Sequence, residues 1–566
     1  MFPESTRDSV KKIDLSRYGL NASGLTEDNG LFLGNTRLDV ARWPNKLDSG
    51  NDDFVGRFMA LEVSATDKTM KLAPTITKRL NKYHNIDDLY MLGYYKYDWS
   101  YSSGKVISYD PATGVIAPTV NGYGMGTSKE FDIPHFFFYN IPDELDCANE
   151  YYIDKKTGYL YILPTAEDLH VAVSGDMITM NGCDYISFVG LEFCYSTGSI
   201  VTAADTDHIT VDRCNVHNIR RNAVNITGDN ITIISCEFYD TGARSVDMNS
   251  GDRTTLTGGN SVIENCLFDH FGSVDKTGNP AIYVQGCGIR IAHNEVCNSP
   301  NIGIYYSEYI WASNDITVEY NYLHNVVTQT SDSGAIYAGR NIAGHGSVVR
   351  YNLICDIGCP EEGFNPFSIY LDDYMSGQEV YGNIIFNEEG NSIFMHGGRD
   401  NKVYSNILIS PKGNGYGELR FNSEIYDTLV SDEANLTRPM ADREIFMILE
   451  LMPYKEGIWA ERFPNVAKYV YDTDYMLPYI DDPYCPVNCS FNEVYDNCII
   501  TTAKAFENEN LEDFSDNVRK YATRIEPSTR IQLDENPLFV DPTHGDYSLR
   551  EDADFIDIPY EKIGRY

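Results

Sequence analysis

Two adjacent aspartates, Asp372 and Asp373, directly follow the apolar stretch Ile369-Tyr370-Leu371. Aspartate is disfavoured in strands, and two neighbouring like charges raise the proton affinity of one of them where water is scarce. Glycoside hydrolysis uses such a pair: one carboxylic acid protonates the leaving oxygen, and the other carboxylate attacks the anomeric carbon or activates water. The pair therefore predicts a catalytic site, with either aspartate as the acting group. The alternatives are a solvated turn or a calcium site.

A repeat of short apolar strands surrounds this pair. Segments such as "HITVDRCNV", "GIRIAHNEV" and "DITVEYNYL" share one pattern, an alternating strand followed by a marker residue and a second apolar pair. The markers are 22 to 31 residues apart, at Leu191, Cys214, Cys236, Cys266, Asn294, Asn321, Asn352, Asn383 and Asn406. This period, without helical patterns between the strands, predicts an all-β fold with a right-handed parallel β-helix. Stacked asparagines are expected to form a hydrogen-bonded ladder, with cysteines in the same slot of earlier coils.

A second strand in each coil predicts which side chains face outward. Aligned on Ile304, Ile336, Ile369 and Ile393, these strands direct one aromatic and one polar row away from the core. The predicted substrate-binding residues in the two rows are Tyr305, Tyr337 and Tyr370 beside Gln285 and His396. Rings can stack on a pyranose while polar groups bind its hydroxyls. The alternative is an aromatic stack that only stabilises the solenoid.

Neighbouring coils supply further ionisable groups for the same face. The segment "TSDSGAIYAGR" contributes Asp332 as a third catalytic candidate and Arg340 as a substrate ligand, and "FMHGGRDN" contributes Arg399 as another ligand. Asp332 lies seven positions before the residue aligned with Asp372. Along a straight strand the two would be more than roughly 20 Å apart. Joint chemistry requires a turn at Ser333-Gly334, which that dipeptide allows.

The rest of the chain divides by pattern into further regions. We predict a lead-in segment over 1–29, a β-rich, sandwich-like domain over 30–163 and the β-helix over 164–410. A partly helical insertion is predicted over 411–487, followed by a last coil and C-terminal segment over 488–566.

Composition restricts the class of partner and the compartment. The formal net charge of −39 argues against nucleic acid and anionic membranes, and no apolar run approaches the roughly 20 residues needed to span a bilayer. The N-terminus lacks a signal-peptide pattern, and 13 cysteines do not form an even disulfide framework. These features favour a cytoplasmic location; secretion or periplasmic export with a removed signal is the alternative. The Cys485/Cys489 pair has no partner pair for zinc, so no metal is expected apart from the calcium alternative.

Several motifs resemble right-handed parallel β-helix glycoside hydrolases of family 141 and, more distantly, the family 120 xylosidases. The similar stretches include "ARWPN", "DSGAIYAGR", "IYLDD", "HGGRDN" and "WAERFP", in the same order along nearly the whole chain. The resemblance implies a bacterial glycosidase, with Asp332 and one aspartate of "YLDD" matching the catalytic pair. Relatives begin with additional coils. We expect that the corresponding coils have been trimmed from this chain, or that a partner chain or oligomer covers the N-terminal end of the solenoid in their place.

The sequence thus predicts a glycoside hydrolase that removes a terminal sugar from a plant or host glycan, with an oligosaccharide or polysaccharide as its partner and no cofactor. One alternative is a polysaccharide lyase or uronate epimerase using His396, Arg340 and Arg399, which the overall acidity disfavours. The other is a non-catalytic glycan-binding protein that uses the tyrosine row alone.

Overall fold

The computed structural model describes most of the chain. The described residues are 2–21, 30–45, 58–84, 86–120, 123–127, 134–164, 168–308, 312–358, 366–387, 391–410, 418–437, 439, 443–501, 512–532, 538–541, 546–550 and 558–566. Within these residues, no helix is long and apolar enough to cross a membrane.

An N-terminal unit of short, mainly antiparallel strands precedes the solenoid. Its elements are β1 (Lys11–Asp14), β2 (Leu31–Leu33), β3 (Thr36–Arg37), β4 (Asp39–Val40), β5 (Arg42–Trp43), β6 (Phe58–Met59), β7 (Glu62–Ser64), β8 (Thr69–Lys71), α1 (Pro74–Leu80), β9 (Tyr90–Tyr94), β10 (Tyr101–Asp110), β11 (Val115–Pro118), β12 (His135–Tyr139), β13 (Glu150–Asp154), β14 (Tyr159–Ile162) and β15 (Leu169–Val171). The larger sheet runs β5-β12-β9-β10-β11-β8-β7. Strand β1 pairs with β14, so part of the predicted lead-in segment belongs to this unit; residues 22–29 lie outside the described part.

The described strands between Ile178 and Gln532 form a right-handed parallel β-helix, which confirms the predicted fold class. Its elements and the short pieces that follow are β16 (Ile178–Asn181), β17 (Asp184–Val189), β18 (Glu192–Ser196), β19 (Val201–Asp212), β20 (Asn215–Ile219), β21 (Val224–Asp229), β22 (Thr232–Ile234), β23 (Glu237–Thr241), β24 (Val246–Ser250), β25 (Ser261–Glu264), β26 (Leu267–Phe271), β27 (Ile282–Cys287), β28 (Ile289–Ala292), β29 (Glu295–Cys297), β30 (Ile304–Tyr305), β31 (Ser313–Asn314), β32 (Thr317–Glu319), β33 (Tyr322–His324), β34 (Gly334–Gly339), β35 (Val348–Arg350), β36 (Leu353–Cys355), β37 (Phe367–Asp372), β38 (Glu379–Tyr381), β39 (Ile384–Phe386), β40 (Ile393–His396), β41 (Lys402–Tyr404), β42 (Ile407–Ser410), β43 (Leu419–Asn422), α2 (Glu424–Val430), α3 (Glu433–Leu436), α4 (Arg443–Glu450), α5 (Gly457–Arg462), β44 (Glu493–Tyr495), β45 (Cys498–Thr501), β46 (Glu512–Phe514), α6 (Asp516–Tyr521), β47 (Arg524–Ile525), β48 (Thr529–Gln532), β49 (Phe539–Asp541) and β50 (Asp546–Leu549).

Strands of successive coils stack into three parallel faces. Face A contains β24, β27, β30, β34, β37, β40 and β43, and face B contains β25, β28, β32, β35, β38 and β41. Face C contains β26, β29, β33, β36, β39 and β42. Alternate side chains from all three faces fill one continuous core, rich in isoleucine and valine. β-Branched residues suit this position because they pack well on pleated surfaces.

The helical insertion interrupts the solenoid later than the sequence pattern predicts. Strand β43 still pairs with β40, and residues 411–417 lie outside the described part. Helices α2 to α5 follow, and their apolar side chains, including Phe446 and Trp459, cluster with Ile342 and Tyr374 of the solenoid. After the insertion the chain resumes coiling through β44 to β48, which is more than the single coil predicted.

The asparagine ladder forms as predicted, in the turn between faces B and C. The amide oxygen of each ladder residue accepts bonds of 3.0–3.1 Å from the backbone N–H of the preceding one; the residues are Asn294, Asn321, Asn352, Asn383, Asn406 and Asn497. In the earlier coils the backbone N–H of Cys214 points to the sulfur of Cys236 at 3.4 Å, and that of Cys236 to Cys266 at the same distance. The ladder satisfies turn amides that are buried away from water.

Replacing Asn352 by leucine should lower the free energy of unfolding by about 1–3 kcal/mol, because the buried N–H of Asn321 loses its acceptor and the carbonyl of Val318 loses a donor. Urea unfolding followed by circular dichroism measures the change. Asn215→Leu is the control, since Asn215 is exposed on β20, and it should change stability by less than about 0.5 kcal/mol. Equal losses in both variants would show that the ladder does not stabilise the solenoid.

Candidate active site

Face A carries the predicted site residues in the predicted register. Tyr305, Tyr337, Tyr370 and Phe394 lie opposite one another on β30, β34, β37 and β40. The next outward position places Gly339 opposite Asp372. The strand alignment derived from the repeat is therefore confirmed.

The tyrosine row is packed rather than open. Tyr305, Tyr337 and Tyr370 are 5%, 8% and 1% exposed, and neighbouring rings meet edge to face with centroids 4.8 and 5.4 Å apart. Phe367, from the start of β37, covers Tyr370 at 4.9 Å. The ring faces are thus occupied by other rings, and the row differs in this respect from the predicted surface for stacking on sugars. Its hydroxyl groups instead reach the neighbouring carboxylates.

Asp332 is brought to the other aspartates by a turn before β34. Its φ of 45° lies in the left-handed region, which aspartate tolerates better than most residues. The turn is anchored from the coil before it, because the Asn301 amide donates to the hydroxyls of Thr330 and Ser333 at 2.9 and 3.3 Å. The chain therefore changes direction at Asp332, just before the predicted Ser333-Gly334, because Gly334 already belongs to β34.

The hydroxyl of Tyr370 lies between two of the candidate carboxylates. It donates to Oδ1 of Asp332 at 3.0 Å and is also within hydrogen-bonding reach of Asp372. Asp332 is exposed at the rim, whereas Asp372 is 8% exposed. Side chains from adjacent coils thus meet at one point, although they are 40 residues apart in sequence (372 − 332).

Asp372 is a buried, fully engaged carboxylate. Its Oδ2 accepts a 2.5 Å bond from Tyr337, and its Oδ1 accepts from His396 Nδ1 at 2.9 Å and from the backbone N–H of Asp373. Burial favours the protonated form, but the bonds from His396, Tyr337 and Tyr370 outweigh it and hold the pKa of Asp372 below its usual range. A Cβ on Gly339 would lie 3.0 Å from the Tyr337 hydroxyl, so glycine leaves room for this contact.

His396 connects the aspartates to the insertion. Its Nε2 lies 2.8 Å from Oε2 of Glu424, the first residue of α2. Burial favours neutral imidazole, but the bonds to Asp372 and Glu424 outweigh it and raise the pKa of His396 to about 10. Glu424 was not predicted as a site residue. Its position depends on where the insertion folds back, and no local sequence pattern signals that.

Asp373 forms an ion pair with Arg340. Its Oδ2 lies 2.9 Å from Arg340 Nε, and its Oδ1 lies 3.4 Å from His396 Nδ1. The side chain of Asp373 is 20% exposed, against 11% for Asp372. Asp373 is therefore the more accessible of the adjacent pair, and two cationic groups flank it.

Two predicted ligands lie apart from this cluster. Arg399 is fully buried: its guanidinium donates to the carbonyls of Cys485 and Pro483 at 2.9 Å each and lies 4.6 Å from the Tyr469 ring centroid. These contacts make Arg399 a packing residue that lies apart from the aspartates. Gln285 lies on β27, three rungs before β37, or about 14 Å at 4.8 Å per rung.

The donor set of Asp372, Asp373 and His396 is compact enough to hold a cation, since its donor atoms lie within 4.8 Å of one another. Calcium, however, takes six to eight oxygen ligands. Here the carboxylates are opposed by Arg340 and by an imidazole with a raised pKa. The arrangement fits an ion-pair network better than the predicted calcium alternative.

The stability of the protein should decrease above neutral pH through His396. The pKa of His396 is raised in the folded state. Its contribution to the free energy of unfolding is therefore complete below about pH 6.5, the pKa of histidine in the unfolded chain, and is lost as pH rises towards 10. Urea unfolding of wild type and His396→Asn at pH 6 and near pH 10 measures the difference. The difference in free energy of unfolding between the two proteins should be smaller by a few kcal/mol at the higher pH. An unchanged difference would contradict the interpretation.

The fold and cluster together define a parallel β-helix protein with a cluster of carboxylates on one face, and comparison with a solved structure agrees with the fold. A solved structure titled "Glycoside hydrolase" superposes with a TM-score of 0.53 at 15% sequence identity, covering 68% of this chain and 77% of the other. A second, titled "The complex structure of XylC with xylose", gives a TM-score of 0.37 at 10% identity, covering 86% and 75%. No protein-family model and no curated protein sequence matches the chain.

Proposed function

We propose that the protein is a glycoside hydrolase that removes a terminal sugar from an oligosaccharide or polysaccharide of plant or host origin. The observation that supports this proposal most strongly is that the hydroxyl of Tyr370 joins Asp332 and Asp372 from adjacent coils, with Asp373 next to Asp372 and paired with Arg340 and His396. The likeness of the fold to a structure titled "Glycoside hydrolase" agrees with it. Cytoplasmic processing of imported glycan fragments in a bacterium is part of the same proposal.

The two accessible carboxyl groups are assigned the chemical steps. Asp332, exposed at the rim and hydrogen-bonded to Tyr370, would protonate the leaving oxygen. Asp373, beside Arg340 and His396, would attack the anomeric carbon or activate water. Asp372 would serve as the positioning residue, because its burial and hydrogen bonds leave it engaged with Tyr337 and His396.

The charge of the cluster favours a neutral sugar. Among the described residues named here, five carboxyl groups face three cations: Asp332, Asp372, Asp373, Glu308 and Glu424 against Arg340, His396 and Arg420, which stacks on Phe394. A uronate would meet net negative charge, which costs free energy where water is scarce. This balance disfavours the lyase and epimerase alternatives.

Incubation with aryl glycosides of neutral sugars and with plant oligosaccharides, followed by product analysis, tests the proposal. Wild type should release a monosaccharide, and Asp332→Asn should release it at a rate reduced by about 10²–10⁴-fold. Asp205→Asn, which changes an exposed aspartate on β19, is the control and should be fully active. An unsaturated product absorbing in the ultraviolet would instead show a lyase, and tight binding without any product would show a glycan-binding protein.

A further inference from the structure

Four potential metal ligands lie together on the outside of face C, in three successive coils. Asp269 on β26, Cys297 on β29 and His324 on β33 occupy the same register position, and Glu295 is two residues before Cys297. All four point outward, because the residues that alternate with them, Phe268, Val296 and Leu323, are in the core. These are the residue types that bind zinc in proteins.

The donor atoms are already close to one another. The oxygen of Glu295, the sulfur of Cys297 and the nitrogen of His324 lie within 4.8 Å of each other, and His324 Nε2 is 3.1 Å from Glu295 Oε1. The thiol of Cys297 also hydrogen-bonds to the carboxylate of Asp269. Tetrahedral zinc with nitrogen or oxygen ligands at about 2.1 Å needs ligands roughly 3.4 Å apart. Small side-chain rotations would bring Glu295, Cys297 and His324 to this spacing, and Asp269, which is bonded to the Cys297 thiol, is the candidate fourth ligand.

Neighbouring residues orient these ligands. The ring of Tyr322 stacks on His324 with centroids 4.4 Å apart, and the Asn298 amide donates to Asp269 at 2.7 Å. Such contacts beyond the ligands fix ring orientation and ligand basicity in metal sites. Cys297 is 4% exposed, while the side chains of Glu295 and His324 are 33% and 24% exposed. An ion can thus reach the donors from solvent, and the thiolate would be shielded once bound.

We propose that Asp269, Glu295, Cys297 and His324 form a zinc-binding site that links three consecutive coils on face C. A thiolate and an imidazole favour zinc over calcium or magnesium, which prefer oxygen ligands. The bound ion would replace the thiol proton of Cys297 and cross-link three consecutive coils. The site lies on a different face of the solenoid from the candidate active site. The zinc site is independent of the proposed hydrolase activity.

Cobalt(II) substitution in the full-length, chelator-treated protein tests this site directly. Wild type should bind one cobalt ion with a thiolate-to-cobalt absorption band in the near ultraviolet, and zinc should displace it. Cys297→Ser should lose the band. His324→Asn should weaken zinc binding, measured by calorimetry, by at least 10–100-fold, which is the loss typical when a residue that only contacts a metal ligand is replaced. Zinc should also raise Tm of the wild type and leave that of Cys297→Ser unchanged.

Two controls identify where the metal binds. Cys183→Ser changes a thiol in the first coil and should keep the cobalt band. His396→Asn should also keep it, which separates this site from the Asp372, Asp373 and His396 cluster. Absence of a thiolate band in the wild type, or a band that survives Cys297→Ser, would overturn the proposal.

Discussion

Replacing Asp373 by asparagine should lower kcat by about 10²–10⁴-fold while the protein keeps its fold. The reason is that Asp373 is the more accessible of the two adjacent carboxylates and lies beside Arg340 and His396. Rates on the aryl glycoside found to be cleaved, together with urea unfolding of the same preparation, separate the loss of chemistry from the loss of stability.

Asp372→Asn is the matched comparison for this prediction. This substitution removes the buried partner of His396 and Tyr337. The variant should therefore lose activity, and its free energy of unfolding should fall by about 3–5 kcal/mol. Azide added to Asp373→Ala should restore product formation if Asp373 is the nucleophile. A fully active Asp373→Asn variant, together with a stable but inactive Asp372→Asn variant, would show that Asp372 is the catalytic residue and Asp373 is not.

Replacing Arg399 by methionine should lower the free energy of unfolding by about 3–5 kcal/mol, the largest stability loss expected among the cluster's neighbours. The change leaves the carbonyls of Cys485 and Pro483 and the carboxylate of Asp400 without their cationic donor in a buried environment. Urea unfolding measures the loss, and KM of the protein that remains folded should be unchanged.

Arg340→Met is the control for Arg399. Arg340 is half-buried and pairs with Asp373, so its loss should affect turnover more than stability. If Arg399→Met instead raised KM without loss of stability, Arg399 would be the substrate ligand that the sequence pattern suggests.

The repeat made much of the fold predictable. Period-2 alternation and the marker residues are local signals, and a parallel β-helix converts equal positions in successive coils into neighbours in space. The opposition of Tyr337 and Tyr370, and of Gly339 and Asp372, follows from aligning two strands. The asparagine ladder follows in the same way from its markers.

Other parts of the site depend on contacts that no local pattern contains. The burial of the tyrosine row results from Phe367 and from the close packing of the rings themselves. The burial of Arg399 depends on carbonyls more than 80 residues away in the chain, and the contact of Glu424 with His396 depends on the path of the insertion. Motifs in loops and insertions thus identify residue types, while depth and direction require the three-dimensional structure.

The division of the candidate site between β34 and β37 restricts how the chain can change by gain or loss of coils. A coil duplicated before β30 would lengthen face A by one rung of about 4.8 Å and leave Asp332 beside Tyr370. A coil duplicated between β34 and β37 would move Asp332 one rung away from that hydroxyl. Under the proposed function, gain or loss of coils should therefore be concentrated outside the stretch from Asp332 to α2, which holds Asp332, Asp372, His396 and Glu424 in contact.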